Sequence, residues 1–152
     1  MSLYELLLFG HVLAAAAWFG AALLALLLME LSARAGDRAH ILSFAQYEDR
    51  LAALLFIPSA LATLVFGIAL VFDGPWSWSG DGWVIAGLLL FAAIFVLGIA
   101  VIVPAGKKLK ELARSAAPEA ELDAQIDKLR TLSLIDVGLL TVAIFFMTVK
   151  PF

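Results

Sequence analysis

The stretch from Leu6 to Met29, LLLFGHVLAAAAWFGAALLALLLM, runs without a single Asp, Glu, Lys or Arg. As a helix rising about 1.5 Å per residue it is long enough to cross ~30 Å of hydrocarbon. Lipid offers the backbone no hydrogen-bond partner, so such a segment is a helix or part of a closed barrel, and the chain has none of the ~10-residue alternating segments that a barrel needs. Two further uncharged runs, Leu51 to Phe72 and Gly82 to Gly106, read the same way. The run Thr131 to Val149 is shorter and holds Asp136, yet Leu139, Leu140, Val142, Ile144, Phe145 and Phe146 keep it apolar enough to insert beside partners. The expected fold is all-α: a single integral membrane four-helix bundle over residues 1–152, with spans near 4–31, 51–72, 83–106 and 131–149.

Composition agrees. Of 152 residues 64% are hydrophobic and 15% charged, against roughly 45–50% and 25% in a soluble domain. A water-soluble globule and a disordered chain are both excluded. Ten Lys and Arg against thirteen Asp and Glu leave a net charge of −3, with no basic surplus for nucleic acid. The chain has no cysteine, so a metal would rest on His, Met, carboxylate or backbone.

The loops set a direction. Arg34, Arg38, Arg50, Lys107, Lys108, Lys110, Arg114, Lys128 and Arg130 fall on one side of the membrane and Lys150 alone on the other, so both termini are expected outside the cytoplasm of a bacterial inner membrane. Ala33-Arg34-Ala35 resembles a signal-peptide cleavage site, but no Lys or Arg precedes the first apolar run and the run is too long, so it is expected to stay. Asp37 can cap a helix through His40, Gln46 and Glu48 into the second span, and Pro118 with Glu119 and Glu121 reads as a helix start, so helical stems should project into the cytoplasm. Lys107, Lys108 and Lys110 are read as a basic loop suited to anionic lipid. After the turn at Asp73-Gly74-Pro75, Trp76, Trp78 and Trp83 read as an aromatic belt at headgroup level.

Ionisable side chains deep in a span are functional candidates by default. His11 lies about eight residues inside the outer end of the first span. Heptad spacing sets Tyr4, His11 and Trp18 on one stripe, beside the small residues Gly10, Ala14, Ala17 and Ala21, so His11 should face the bundle interior. Its imidazole is either a metal or haem ligand or a hydrogen-bonded packing group. On the last span Asp136, Leu140, Ala143, Met147 and Lys150 share a face. His11 with Met147 would supply axial ligands for haem b; the plainer reading of Met147 is core filling. Lys150 is a snorkelling anchor or a cation over an anionic group such as a haem propionate. His40 lies beyond the cytoplasmic turn, ~25 Å or more from His11, so an intrasubunit bis-His haem is not expected. Two His11 residues could meet in a homodimer. Asp136 is expected to pair with Arg50 or Arg130, in a cluster with Glu30, Arg34 and Glu48, and the alternative is a proton relay. Pro58 and Ser59 are expected to kink or open the second helix, Ser59 satisfying a freed carbonyl.

The opening Leu3 to Leu13 through Trp18-Phe19-Gly20, together with Phe56-Ile57-Pro58, Gly67 to Val71, Trp76 to Trp83, Pro104 to Leu109 and Met147 to Pro151, resembles a bacterial family of predicted integral membrane proteins of unknown function. More remotely, a first-helix His followed by Trp-Phe-Gly is similar to the copper-resistance protein D membrane domain and to HemJ-type protoporphyrinogen oxidases. That resemblance implies that His11 is an iron or copper ligand. The mid-membrane lysine of the oxidases has no counterpart here, and His11, Met147 and Met1 are the soft or borderline ligands open to copper. The expected function is binding of haem b or a related tetrapyrrole in the outer half of the bundle, for electron transfer to an unidentified partner, with His11, Met147, Trp18, Tyr4 and Lys150 around the group. The alternatives are copper or small-solute handling by His11 and the outer Trp loop, and a structural membrane protein.

Overall fold

A computed structural model describes residues 2–78, 80–115 and 117–151, with backbone alone at Glu48 and Asp49. Its helices are α1 (Leu3–Arg34), α2 (Arg38–Leu51), α3 (Ile57–Asp73), α4 (Gly82–Leu97), α5 (Val103–Arg114) and α6 (Glu119–Val149). There is no strand among the described residues. Two π-helical turns, Ala52–Phe56 and Gly98–Ile102, join α2 to α3 and α4 to α5 without a break. Four helical stretches are therefore long and apolar enough to cross a bilayer: Leu3–Arg34, Ala52–Asp73, Gly82–Arg114 and Glu119–Val149.

Local chemistry explains the ends. At the start of α1 the Glu5 amide donates to Ser2 Oγ (3.2 Å) and the Ser2 amide to Glu5 Oε2 (2.8 Å), a reciprocal cap. Asp37 Oδ1 accepts from the His40 amide at 3.0 Å and starts α2. α6 begins after Pro118 with Glu119 and Glu121 in its first turn, where carboxylates suit the helix dipole. It ends at Lys150, whose φ of 49° places it in the left-handed region, so the chain turns off the helix before Pro151.

The two π turns share one cause. Each is followed after one residue by a proline, Pro58 or Pro104, which lacks an N–H and whose ring clashes with the carbonyl four residues back. Widening the turn relieves that clash. The Ile57 amide reaches Ala52 O and the Val103 amide reaches Gly98 O, each five residues back. Ser59 Oγ donates to Leu55 O (2.6 Å) and Phe56 O (3.2 Å), as its position after the proline led one to expect.

α1 packs along α3 and α6, and α6 along α4 and α5, while α2 meets α5 at the stem end. Among the described residues α3 and α4 meet only at the end where Val71 packs with Trp83 and Val84. Ile41, Ala45, Ala105, Leu109, Leu122, Ile126 and Leu129 form the core of the stems. Trp18, Ala22, Ala60, Ile94, Val137 and Leu140 form that of the middle, and Val71, Trp83 and Val84 close the end bearing both termini. Leu54, Phe72 and Leu89 stay on the outside, as a lipid solvent requires.

Two expectations need correction. Lys107, Lys108 and Lys110 lie on α5, not in a loop; Ala105 and Leu109 bury one face while Lys107 and Lys108 remain exposed, so the segment is an amphipathic helix. Trp83 is not a headgroup anchor, since it is only 7% exposed and packs edge-on against Trp76 with ring centroids 5.0 Å apart. Trp78 stays exposed against Phe72.

Candidate functional site

His11 faces the interior, as its stripe implies. Its Nδ1 lies 2.8 Å from Thr63 O on α3. A carbonyl only accepts, so Nδ1 carries the proton and Nε2 keeps the lone pair. Gly67, one turn on, makes room for the ring: a Cβ there would come within 2.9 Å of His11 Cε1. Ala14 and Trp18 continue the buried face of α1, and the Trp18 ring meets Phe91 of α4 edge-on at 5.5 Å.

A second cluster gathers at the end bearing both termini. Lys150 Nζ stands 3.7 Å from the centre of the Trp76 ring and 4.9 Å from that of Trp83. Such contacts contribute about 0.5–2 kcal/mol, more as water is excluded. Met147 packs on the same cluster and fills the space left by Gly87 of α4. Tyr4 reaches Gly74 beside Trp76. The structure thus brings Tyr4, Met147 and Lys150 together around two tryptophans. It gives His11 different neighbours, Thr63 and Gly67, and Trp18 belongs to the core of the middle. Met1, named as a soft ligand, lies outside the described residues. Among the described residues no group of three or more His, Cys, Asp or Glu is placed to hold a metal ion.

The third feature is a cavity of about 160 Å³ in the half of the bundle nearer the stems, with Trp18, Ala60, Ile94, Phe95 and Asp136 in its walls. Both π turns border it, through Ala52, Phe56, Gly98 and Ile102. The expected pairing of Asp136 with an arginine is absent. Arg130 is held by Glu30 (2.6 Å) and Asp127 (2.9 Å), and Arg50 is exposed on α2. Among the described residues Asp136 has no hydrogen-bond or ion-pair partner. Part of the expected cluster forms without it: Glu30 also binds Arg34 at 2.9 Å, while the Glu48 side chain lies outside the described residues. A groove of about 210 Å³ between the end of α1 and α2 is larger, but its polar side chains His40 and Ser43 are exposed.

Sequence reasoning singled out Asp136, and at Pro58 and Ser59 a helix opening that could shape a cavity, but did not join the two. The available signal was the pair of prolines one residue after segments that here form π turns. No curated protein and no solved structure matches the chain. Residues 5–151, nearly the whole bundle, match the family described as "Predicted integral membrane protein (DUF2269)", and the chain is a member of that family.

Proposed function

We propose that this is a multi-pass protein of the bacterial plasma membrane, with both termini outside the cytoplasm, that binds a small and mostly apolar molecule between its spans. The cavity with Asp136 in its wall carries the reading. Protein interiors contain few voids larger than a water molecule, and an engineered apolar cavity of about 150 Å³ binds benzene. A cavity of about 160 Å³ between membrane helices is of that size. The π turns support the reading, because such turns often mark functional sites. Benzene is the probe. In lipid nanodiscs, cross-relaxation in NMR spectra should connect it to the Trp18 ring and the Ala60 methyl. A side chain at Gly98 would meet nothing within 4 Å, so Gly98→Leu should fill the space, keep helicity and abolish the signal. Contacts that persist unchanged in Gly98→Leu would refute the site.

Haem b at His11, with electron transfer to a partner, is the second reading. What favours it is the Nδ1–H held by Thr63 O, which leaves Nε2 basic and oriented, as backbone carbonyls behind metal-ligating histidines do. Space opposes it. Neither cavity includes His11, and about 160 Å³ is below the ~300–1,000 Å³ of ligand pockets. The ligand chemistry fits and the room for a macrocycle does not; copper at His11 would need ligands from outside its present neighbours. The expected absorption spectrum of haem-supplied protein has no Soret band. A Soret band that His11→Ala abolishes would restore the tetrapyrrole.

A further inference from the structure

We propose that the cavity recognises a small organic cation, a quaternary or protonated amine, through Asp136 and the aromatic rings around it. This rests on the cavity reading above and adds the chemical class of its occupant. The first observation is charge. Asp136 stands in a wall that is otherwise almost wholly apolar, with the Ser133 hydroxyl the nearest other polar side chain along its helix. An unpaired carboxylate in such surroundings is costly unless it takes up a proton or a cation joins it.

The second observation is that among the described residues no cation is paired with Asp136. Arg130, the nearest on the same helix, is engaged by two carboxylates, and Lys107 and Lys108 are exposed on α5. A guest cation is therefore the partner open to the ionised carboxylate of Asp136.

The third observation is the nature of the walls. Trp18, Phe56 and Phe95 line the cavity, and aromatic faces attract cations through the ring quadrupole while tolerating the alkyl groups those cations carry. A carboxylate beside aromatic rings is complementary to an alkylammonium ion and poorly matched to an anion or a sugar. Size narrows the class further. At ~30 Å³ per water molecule, about 160 Å³ suits a compact head of a few heavy atoms.

Tetramethylammonium and neopentane share one shape and differ in charge, so the unmodified protein makes the comparison. In nanodiscs, tetramethylammonium should bind at least tenfold more tightly than neopentane, and Asp136→Asn should weaken the cation at least tenfold while leaving neopentane and the helical circular dichroism unchanged. Equal binding of the two probes by the unmodified protein would overturn the proposal without any variant. So would cation binding that ignores Asp136→Asn. Benzene separates the two levels. If benzene contacts Trp18 and tetramethylammonium does not bind, the cation assignment falls and the cavity stands; if neither binds, both fall.

Discussion

At His11 a single ring ties the two most closely packed spans. Its hydrogen bond goes to a backbone carbonyl that α3 already uses, and its face rests on Gly67. His11→Ala removes both contacts between α1 and α3. Interhelical hydrogen bonds in membranes contribute about 0.6–2 kcal/mol, so the variant should unfold more readily by roughly that amount in a denaturing-detergent titration. Unchanged stability would mean the ring holds nothing. The orientation of His11 was legible, because Tyr4, His11 and Trp18 recur every seven residues. Its partner was not, since every residue offers the same carbonyl. Asp136 shows the opposite failure. Arg130 is six residues earlier, which on a helix of 3.6 residues per turn points it about 120° away, whereas Asp127 at three residues and Glu30 on α1 lie within its reach.

At the scale of elements, three spans followed from uncharged length and the fourth from the apolar residues around Asp136, and the stem starts followed from Asp37 and Pro118. The π turns did not follow. One extra residue in a helical turn shifts the face of everything beyond it, but Leu51 to Phe72 and Gly82 to Gly106 are apolar all round, so no polar stripe records the shift. Proline was the remaining clue. At Pro58 it reads as a kink; Pro104 carries no such reading, and Lys107 and Lys108 just beyond it read as a loop. The helix instead continues because Leu109, with no exposure, docks in the stem core, and Gln125 on α6 donates to Ala105 O at 2.8 Å. Tertiary packing thus extends a helix where charge suggested a stop. Both π turns consequently lie where the spans give way to the stems, beside the cavity that they border.

For the whole molecule, the decisive asymmetry is between its two ends. One end carries both termini, the tryptophan cluster and Lys150; the stems carry the other nine Lys and Arg. Several of the nine are paired, Arg38 with Asp123 at 2.8 Å and Glu119 at 3.2 Å, Arg130 and Arg34 with Glu30. Pairing does not cancel their topological effect, because orientation follows Lys and Arg near the spans and Asp and Glu contribute little. The stems should therefore sit in the cytoplasm. The absence of cysteine permits a direct check with single replacements at exposed positions, Gly80→Cys in the α3–α4 loop and Ala120→Cys in the first turn of α6. In spheroplasts a membrane-impermeant maleimide should label Gly80→Cys at least tenfold more than Ala120→Cys, and permeabilising the membrane should make the two equal. The reverse order would invert the bundle and place the cavity in its outer half. Equal labelling before permeabilisation would mean that chains insert both ways, so that paired arginines fail to count.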